Sequence, residues 1–345
     1  MLNIKIIENT RNLITSGILE LKSIYVFGAN NYTKDIIKVL SENNYHLTSI
    51  LDNAPDKQNM LIEGIPVVDP SYLSDTPFNK IILIASGYYY EMIAQIKDFG
   101  FEPDINVFNL MPVFSSDDVK SFYTTRAEID ISKLDKIENI VHFFKDETNA
   151  EAQEMMYKLQ DECILKHFHL HHNNVLVDLG AGIGQYSRLL APYVKKVYAV
   201  EQIEKLNEIG RQITYEQGIS NIEFISESAE SFSPTNIYID RVLISGLLCL
   251  LDDDQYIKVI NNVKNYLTKQ GDLFLREPVS INGFKFIKPS ENNFYPTIYR
   301  TPQAIIDSIS KYGFILKECG QFFDDNSSFN DNPVAILYYF RFTKY

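Results

Sequence analysis

The sequence predicts an α/β protein of two doubly wound units in series, and three observations carry that prediction. Continuous apolar strands, of the kind buried in parallel sheets, alternate with amphipathic helical stretches in both halves of the chain. A glycine turn follows the first strand of each half, at Gly28 and at Gly180. Between the halves, from Pro112 to about Ala150, the hydrophobic period dissolves into the charged stretch SSDDVKSFYTTRAEIDISKLDKIEN. The expected division is a small unit over residues 1–112, a linker over 113–149 and a second unit over 150–345, each with enough chain to bury a core.

After an amphipathic start, Ile24–Phe27 reads as a buried strand, and Ile36, Ile37 and Leu40 share the face of the following helix. Ile50 and Leu51 form the next strand, with Asp52 at its end. The stretch NAPDKQNMLIEGIPVVDP is turn-rich; the apolar strand from Lys80 to Gly87 and a helix over Tyr89–Phe99 follow it. In the second half a helix over Ala150–Phe168 precedes strands at Val175–Asp178, Lys196–Glu201, Ile222–Ser226, Arg241–Ser245 and Asp272–Glu277, with helices between them. A helix over Thr301–Tyr312 leads to Phe314–Glu318 and Val334–Phe342, two strands joined by a polar loop without a helix. That connection predicts an antiparallel end to the parallel sheet.

The net charge of −13 and the absence of a Lys/Arg run argue against nucleic acid as a partner. Cys163, Cys249 and Cys319 are odd in number, widely separated and in no CxxC arrangement, so neither disulfides nor a cysteine metal site is expected. No stretch reaches the ~18 apolar residues of a membrane span, which makes the cytoplasm the default address.

The stretch VLVDLGAGIGQYSRLL identifies the chemistry. A dinucleotide turn is spaced G-x-G-x-x-G, whereas Gly180, Gly182 and Gly184 make G-x-G-x-G, preceded by Asp178. VDLGAGIGQYS resembles the first motif of class I S-adenosylmethionine-dependent methyltransferases, and the resemblance extends over about Ala150 to Phe342. It implies a class I methyltransferase fold with S-adenosylmethionine as cofactor. By that resemblance Asp178, Gly180, Ala181, Gly182 and Gly184 hold the methionine portion, with Tyr186 just beyond them. Glu201, followed by Gln202, matches the acid that takes both ribose hydroxyls, because a carboxylate offers two acceptors to two adjacent donors. Its separation from the turn, about twenty residues, is that of one strand–helix–strand unit. Near the adenine the family commonly has Asp where this chain has Ser228, followed by Ala229 and Glu230. Ser245 and Gly246 stand where the family places the floor of the methyl-transfer site.

Methyl transfer from a sulfonium needs an aligned nucleophile and a dry site; a base is required only when the acceptor arrives protonated. Glu277, at a strand end on the ligand-binding edge, is the candidate base or amine-orienting group, or else an ion-pair partner of Arg276 or Arg300. The aromatic loop INGFKFIKPSENNFYPTIYRTP resembles the acceptor-side cap of small-molecule methyltransferases, with Tyr295, Tyr299 and Arg300 as its lining. In KHFHLHHNN, His171 is a candidate catalytic histidine. His167 and His171 are spaced i, i+4, but no HExxH pattern or carboxylate accompanies them, so no metal is expected.

In the first half, YVFGANNYTKDII…ILDNAPDKQNMLIEGIPVVDPSYL resembles the Rossmann-like module at the front of sugar-modifying transferases, over roughly Lys22 to Leu110. The resemblance implies ligand contacts at Gly28, Asp52, Asn53 and Ser86, and an activated or carrier-linked sugar as the ligand. Asn30 and Thr33 replace the glycines of a pyrophosphate turn, which leaves docking or dimerisation as the other reading. The whole reading is a methyltransferase acting on oxygen or nitrogen of a small polar acceptor, with a sugar or nucleotide-sugar as one such acceptor and a homodimer as one assembly. Two alternatives stand beside it: an NAD-dependent oxidoreductase module fused to a methyltransferase, and a non-catalytic binding scaffold.

Overall fold

In the computed structural model the contacts divide the chain into two units: Met1–Phe114 with Phe284–Thr297, and Ser115–Gly283 with Ile298–Tyr345. The structure describes residues 2–73, 77–112, 116–128, 150–288, 297–325, 327–330, 332 and 334–345.

The first unit begins with α1 (Leu2–Thr15), followed by β1 (Ser23–Phe27), α2 (Thr33–Glu42), β2 (Leu47–Leu51), β3 (Leu61–Ile62), β4 (Ile65–Val68), β5 (Lys80–Ile84), α3 (Tyr89–Lys97) and β6 (Val107–Asn109). Its sheet runs β3-β4-β2-β1-β5-β6, and all neighbours are parallel except β3 and β4. Both faces are covered, because alternate residues of each strand point to opposite sides. Ile24, Val26, Ile50, Ile81 and Leu83 pack with Ile36 and Leu40 of α2, whereas Tyr25, Phe27, Ile82 and Ile84 pack with Tyr89 and Ile96 of α3. The turn-rich stretch expected after Asp52 contains β3 and β4, too short to show a period.

The second unit opens with α4 (Ser116–Ala127) and α5 (Ala150–His167). Then come β7 (Val175–Leu179), α6 (Gln185–Leu190), β8 (Lys196–Val200), α7 (Glu204–Glu216), β9 (Ile222–Ile225), β10 (Ile239–Ser245) and α8 (Asp253–Tyr266). The chain continues through β11 (Leu267–Ser280), β12 (Phe286–Lys288), β13 (Thr297–Tyr299), α9 (Pro302–Ser310), β14 (Phe314–Gln321) and β15 (Ala335–Lys344). β12 belongs to the first unit, where the Ile287 N–H donates to the Gly87 carbonyl at 3.1 Å. α4, in the stretch expected to be a linker, places Ala127 in a cluster with Ile183, Ile203, Leu206 and Ile209.

The seven-stranded sheet runs β14-β15-β11-β10-β7-β8-β9. Its five central and distal strands are parallel, and β15 pairs antiparallel with both β11 and β14, as the helix-free connection predicts. Two helix starts are set locally. Asp252 and Gln255 form a capping box at α8, and the Thr301 hydroxyl accepts from Ala304 N–H at α9, each worth about 1 kcal/mol. Period-two alternation decides what reaches each face. Val177, Val242, Ile244, Leu273 and Leu275 pack against α8 and α9, while Leu176, Leu243 and Phe274 pack against α5 and α6. Continued to the strand ends, the same alternation puts Asp178, Ser245 and Arg276 on the α5 face and Glu277 on the other.

Candidate active site

Gly180, Gly182 and Gly184 have φ of +75°, +55° and +74°, a backbone region that disfavours side chains, so the turn between β7 and α6 requires glycine. The Gly180 and Ala181 N–H groups donate to the Val200 carbonyl at 2.9 and 3.0 Å, tying the turn to the end of β8. Glu201 completes the corner. Its carboxylate accepts from Gly182 N–H at 3.1 Å and from Ile203 N–H at 2.9 Å, and burial raises its pKa. The acid therefore points at the glycine turn across the sheet edge, and Gln202 beside it is half-buried. A Cβ on Gly184 would lie 2.8 Å from the Phe224 ring, and one on Gly210 of α7 would lie 2.5 Å from the same ring.

Asp178, next to last in β7, is 2% exposed. The Ser187 hydroxyl donates to it at 2.7 Å, and burial pushes its carboxyl up to about 6. On the β9 side, the Ser228 and Ser231 hydroxyls lie 3.0 Å apart, Ala229 is buried, and the Glu230 carbonyl accepts from the Asn262 amide. Gly246 takes φ +66° after β10, and its N–H donates to the Arg276 carbonyl at 2.8 Å.

Gln160, which the sequence reading passed over, and Arg276, which it named only as a partner for Glu277, stand on the same face as Asp178. Gln160 of α5 accepts from the Tyr186 hydroxyl and from Arg276 Nε, both at 3.0 Å. The Arg276 guanidinium lies 5.6 Å from the Tyr186 ring centre and 5.8 Å from that of Phe322, and its Nη1 reaches the Ser245 hydroxyl at 3.4 Å. The alternation along LREPVS could have found Arg276, since Glu277 and Arg276 cannot share a face.

Glu277 sits at the expected edge but is 1% exposed. Its carboxylate accepts from the N–H groups of Leu247 and Leu248 at 3.0 Å and of Cys249 at 3.2 Å. Burial pushes it up to about 7. Arg300, 7% exposed, donates to the carbonyls of Leu248 at 2.8 Å and Leu251 at 2.9 Å and pairs with Asp253 at 2.8 Å. These two residues clamp the 3₁₀ turn Leu248–Leu250 from its two ends; they pair neither with each other nor, among the described residues, does Glu277 pair with Arg276. Where a base and acceptor lining were expected, the Glu277 carboxylate accepts from backbone N–H groups and the Arg300 guanidinium is held by backbone carbonyls and by Asp253. Tyr299 is buried, and Tyr295 lies outside the described residues.

His171 is also displaced from its expected role. It precedes β7, at the amino edge of the sheet, whereas the glycine turn follows β7 at the carboxyl edge, about 13 Å or more away at ~3.3 Å per strand residue. The histidines enter the strand from its amino end. His167 serves the packing, with Nδ1 2.7 Å from Glu318 and its ring stacked on Tyr339. Among the described residues no cluster of His, Cys, Asp and Glu could hold a metal ion, and no helix is long and apolar enough to cross a membrane.

The first unit repeats the acid corner. Gly28, at φ +108°, donates its N–H to Leu51 O at 2.8 Å, and Asp52 accepts from Ala29 N–H at 2.7 Å and Ala54 N–H at 2.8 Å. Here a lysine is added: Lys57 Nζ lies 3.3 Å from Asp52 and 3.1 Å from the Ala29 carbonyl. The Thr33 hydroxyl donates to Gly28 O at 2.7 Å and accepts from Asn30 N–H at 3.1 Å, locking the turn where a third glycine was absent. Asn53 pairs with Gln95 at 3.0 Å, and the Ser86 hydroxyl accepts from Tyr88 N–H at 3.2 Å.

Residues 176–271 match the family described as "Methyltransferase domain", and residues 20–104 match that described as "C2185-like, N-terminal". Over 154 residues the chain is 27% identical to phosphoethanolamine N-methyltransferase 1 of Zea mays, covering 45% of this chain and 28% of that protein. A stretch of 58 residues is 40% identical to an uncharacterized RNA methyltransferase of Fusobacterium nucleatum, covering 17% of this chain and 12% of that protein. A solved structure of Haemonchus contortus phosphoethanolamine N-methyltransferase 1, in complex with phosphoethanolamine and S-adenosylhomocysteine, is similar with TM-score 0.50 at 21% identity. It covers 65% of this chain and 48% of that one, a likeness of fold. The chain spans less than a third of the length of these curated relatives.

Proposed function

We propose that this chain, whose residues 176–271 form an S-adenosylmethionine-dependent methyltransferase domain, transfers the methyl group to a nitrogen or oxygen of a small polar acceptor. The observation that carries the reading is Glu201, one strand over from the glycine turn and aimed at it through the Gly182 N–H. The donor set fits a nucleoside: a carboxylate at the strand end suits a ribose diol, and Ser228 with the buried Ala229 supplies a hydroxyl and an apolar wall on the β9 side. S-adenosylmethionine, when bound, supplies a methyl group already activated by its positive sulfur. The chain's own task is to align the acceptor and keep the site dry, a contribution that proximity makes as large as about 7 kcal/mol or more. Glu277 and Arg300 hold the Leu248–Leu250 turn beside Gly246 and so shape the floor of that site without moving a proton. An amine acceptor arriving uncharged needs no base from the protein, whereas an alkylammonium, the main form at neutral pH, must first give its proton to water or buffer.

Phosphoethanolamine, named as the substrate of the maize relative, is the first acceptor to try, and sugar amines or nucleotide-sugars are the second. The test is methyl-labelled S-adenosylmethionine incubated with the purified chain and phosphoethanolamine, amino sugars, UDP-sugars or RNA. Label in a small-molecule product supports the reading. Label only in RNA, or no formation of S-adenosylhomocysteine with any acceptor, contradicts it.

A further inference from the structure

We propose that Asp161 of α5 and Arg276 of β11 form the subsite for the amino-acid end of the S-adenosyl donor, the guanidinium taking its carboxylate and the carboxylate its ammonium. The inference rests on the donor reading above and adds two charged side chains to the motif-based expectation that Asp178 and the glycine turn hold this end. Asp178 is 2% exposed and bonded to Ser187, and the N–H groups of Gly180, Ala181 and Gly182 donate to Val200 and Glu201.

Arg276 and Asp161 are not committed in that way. Arg276 donates to neutral groups, Gln160 and Ser245, and its flat cation is held between the Tyr186 and Phe322 rings; among the described residues it has no ion-pair partner. A half-buried guanidinium without an anion is costly and calls for one from a ligand. Asp161 offers the opposite charge on the neighbouring helix. Its Oδ1 is buried with no hydrogen-bond partner among the described residues, a rare condition for a carboxylate oxygen that an incoming ammonium would relieve. Burial pushes the Asp161 carboxyl up to about 6 while the Arg276 charge acts against that rise, so the two groups sense each other. Tyr186, on the first turn after the glycines, lies 5.6 Å from the Arg276 guanidinium and donates its hydroxyl to Gln160, the residue before Asp161, which brings this turn of α5 and Arg276 beside the donor turn. A carboxylate on α5 and a guanidinium on β11 match a ligand end that carries both charges.

The experiment is calorimetric titration of the full chain with S-adenosylhomocysteine and with 5′-methylthioadenosine, which shares the nucleoside but lacks the amino-acid end. Asp161→Asn and Arg276→Gln should each weaken S-adenosylhomocysteine by about tenfold or more and leave 5′-methylthioadenosine within about twofold; Arg276→Lys should recover part of the loss. Unchanged S-adenosylhomocysteine binding in both variants would overturn the proposal, even with turnover reduced, since that result moves the pair to the acceptor. Equal losses for the two ligands would overturn it as well. If the unaltered chain binds neither ligand, the donor reading itself fails, which is a separate outcome.

Discussion

Replacing Glu277 with alanine removes the acceptor for three backbone N–H groups at once. Leu247 is half-buried and water can serve it, but Leu248 and Cys249 are 2% and 5% exposed, so their donors stay unsatisfied. At about 1–3 kcal/mol for each buried orphan, the loss is roughly 2–6 kcal/mol. A pH signature accompanies it. The carboxyl has a folded pKa of about 7 against an ordinary value of 4.5, so the stability it lends is fully present below 4.5 and is lost as pH rises through 7. That swing amounts to about 3 kcal/mol. Urea unfolding of Glu277→Ala beside the parent chain at pH 5 and pH 8 should therefore show a large stability gap at pH 5 and a smaller one at pH 8. A gap near zero at pH 5, or one of equal size at both pH values, would refute the account of Glu277 as an anchor held by burial and three donors.

Two glycines test close approaches. Gly210→Ala would put a Cβ 2.5 Å from the Phe224 ring and 2.9 Å from the Ile183 carbonyl of the donor turn. It should cost about 1–3 kcal/mol and weaken S-adenosylhomocysteine; wild-type thermal stability would contradict the packing described. In the first unit, Gly87→Ala would meet the Ile287 carbonyl at 2.5 Å and the Phe286 ring at 2.6 Å. Hydrogen exchange at the Ile287 amide, which donates to Gly87, should accelerate, and unchanged protection would count against that contact.

The second unit was largely legible in its sequence because buried parallel strands are near-continuous apolar runs separated by helices of clear period. Thus β7, β8, β9 and β10 fall within two residues of their expected bounds. β11 was read as Asp272–Glu277 but extends over Leu267–Ser280, since β15 pairs with it as far as Ser280 and a partner strand leaves no mark on the local pattern. α4 was hidden for a similar reason: its sequence shows little amphipathic period, and the packed face shows in the buried Val119 and Ala127 and in Tyr123. At the site, spacing along the chain led to Glu201 and the glycines, which are linked by one strand–helix–strand unit. It could not lead to Gln160, which reaches Tyr186 and Arg276 from a helix that precedes the sheet. Glu277 was read as a base because it stands on the ligand edge, and Arg300 as acceptor lining because it belongs to the aromatic loop; the backbone groups they satisfy lie in a turn that the sequence does not announce.

The most direct test of the central claim is a double comparison of ribose against acid. Binding of S-adenosylhomocysteine and of its 2′,3′-dideoxyribose analogue should be measured for the parent chain and for Glu201→Ala. If the Glu201 carboxylate grips the diol, the parent should prefer the natural ribose by about tenfold or more, and Glu201→Ala should lose that preference together with affinity. The same preference in both proteins would contradict it.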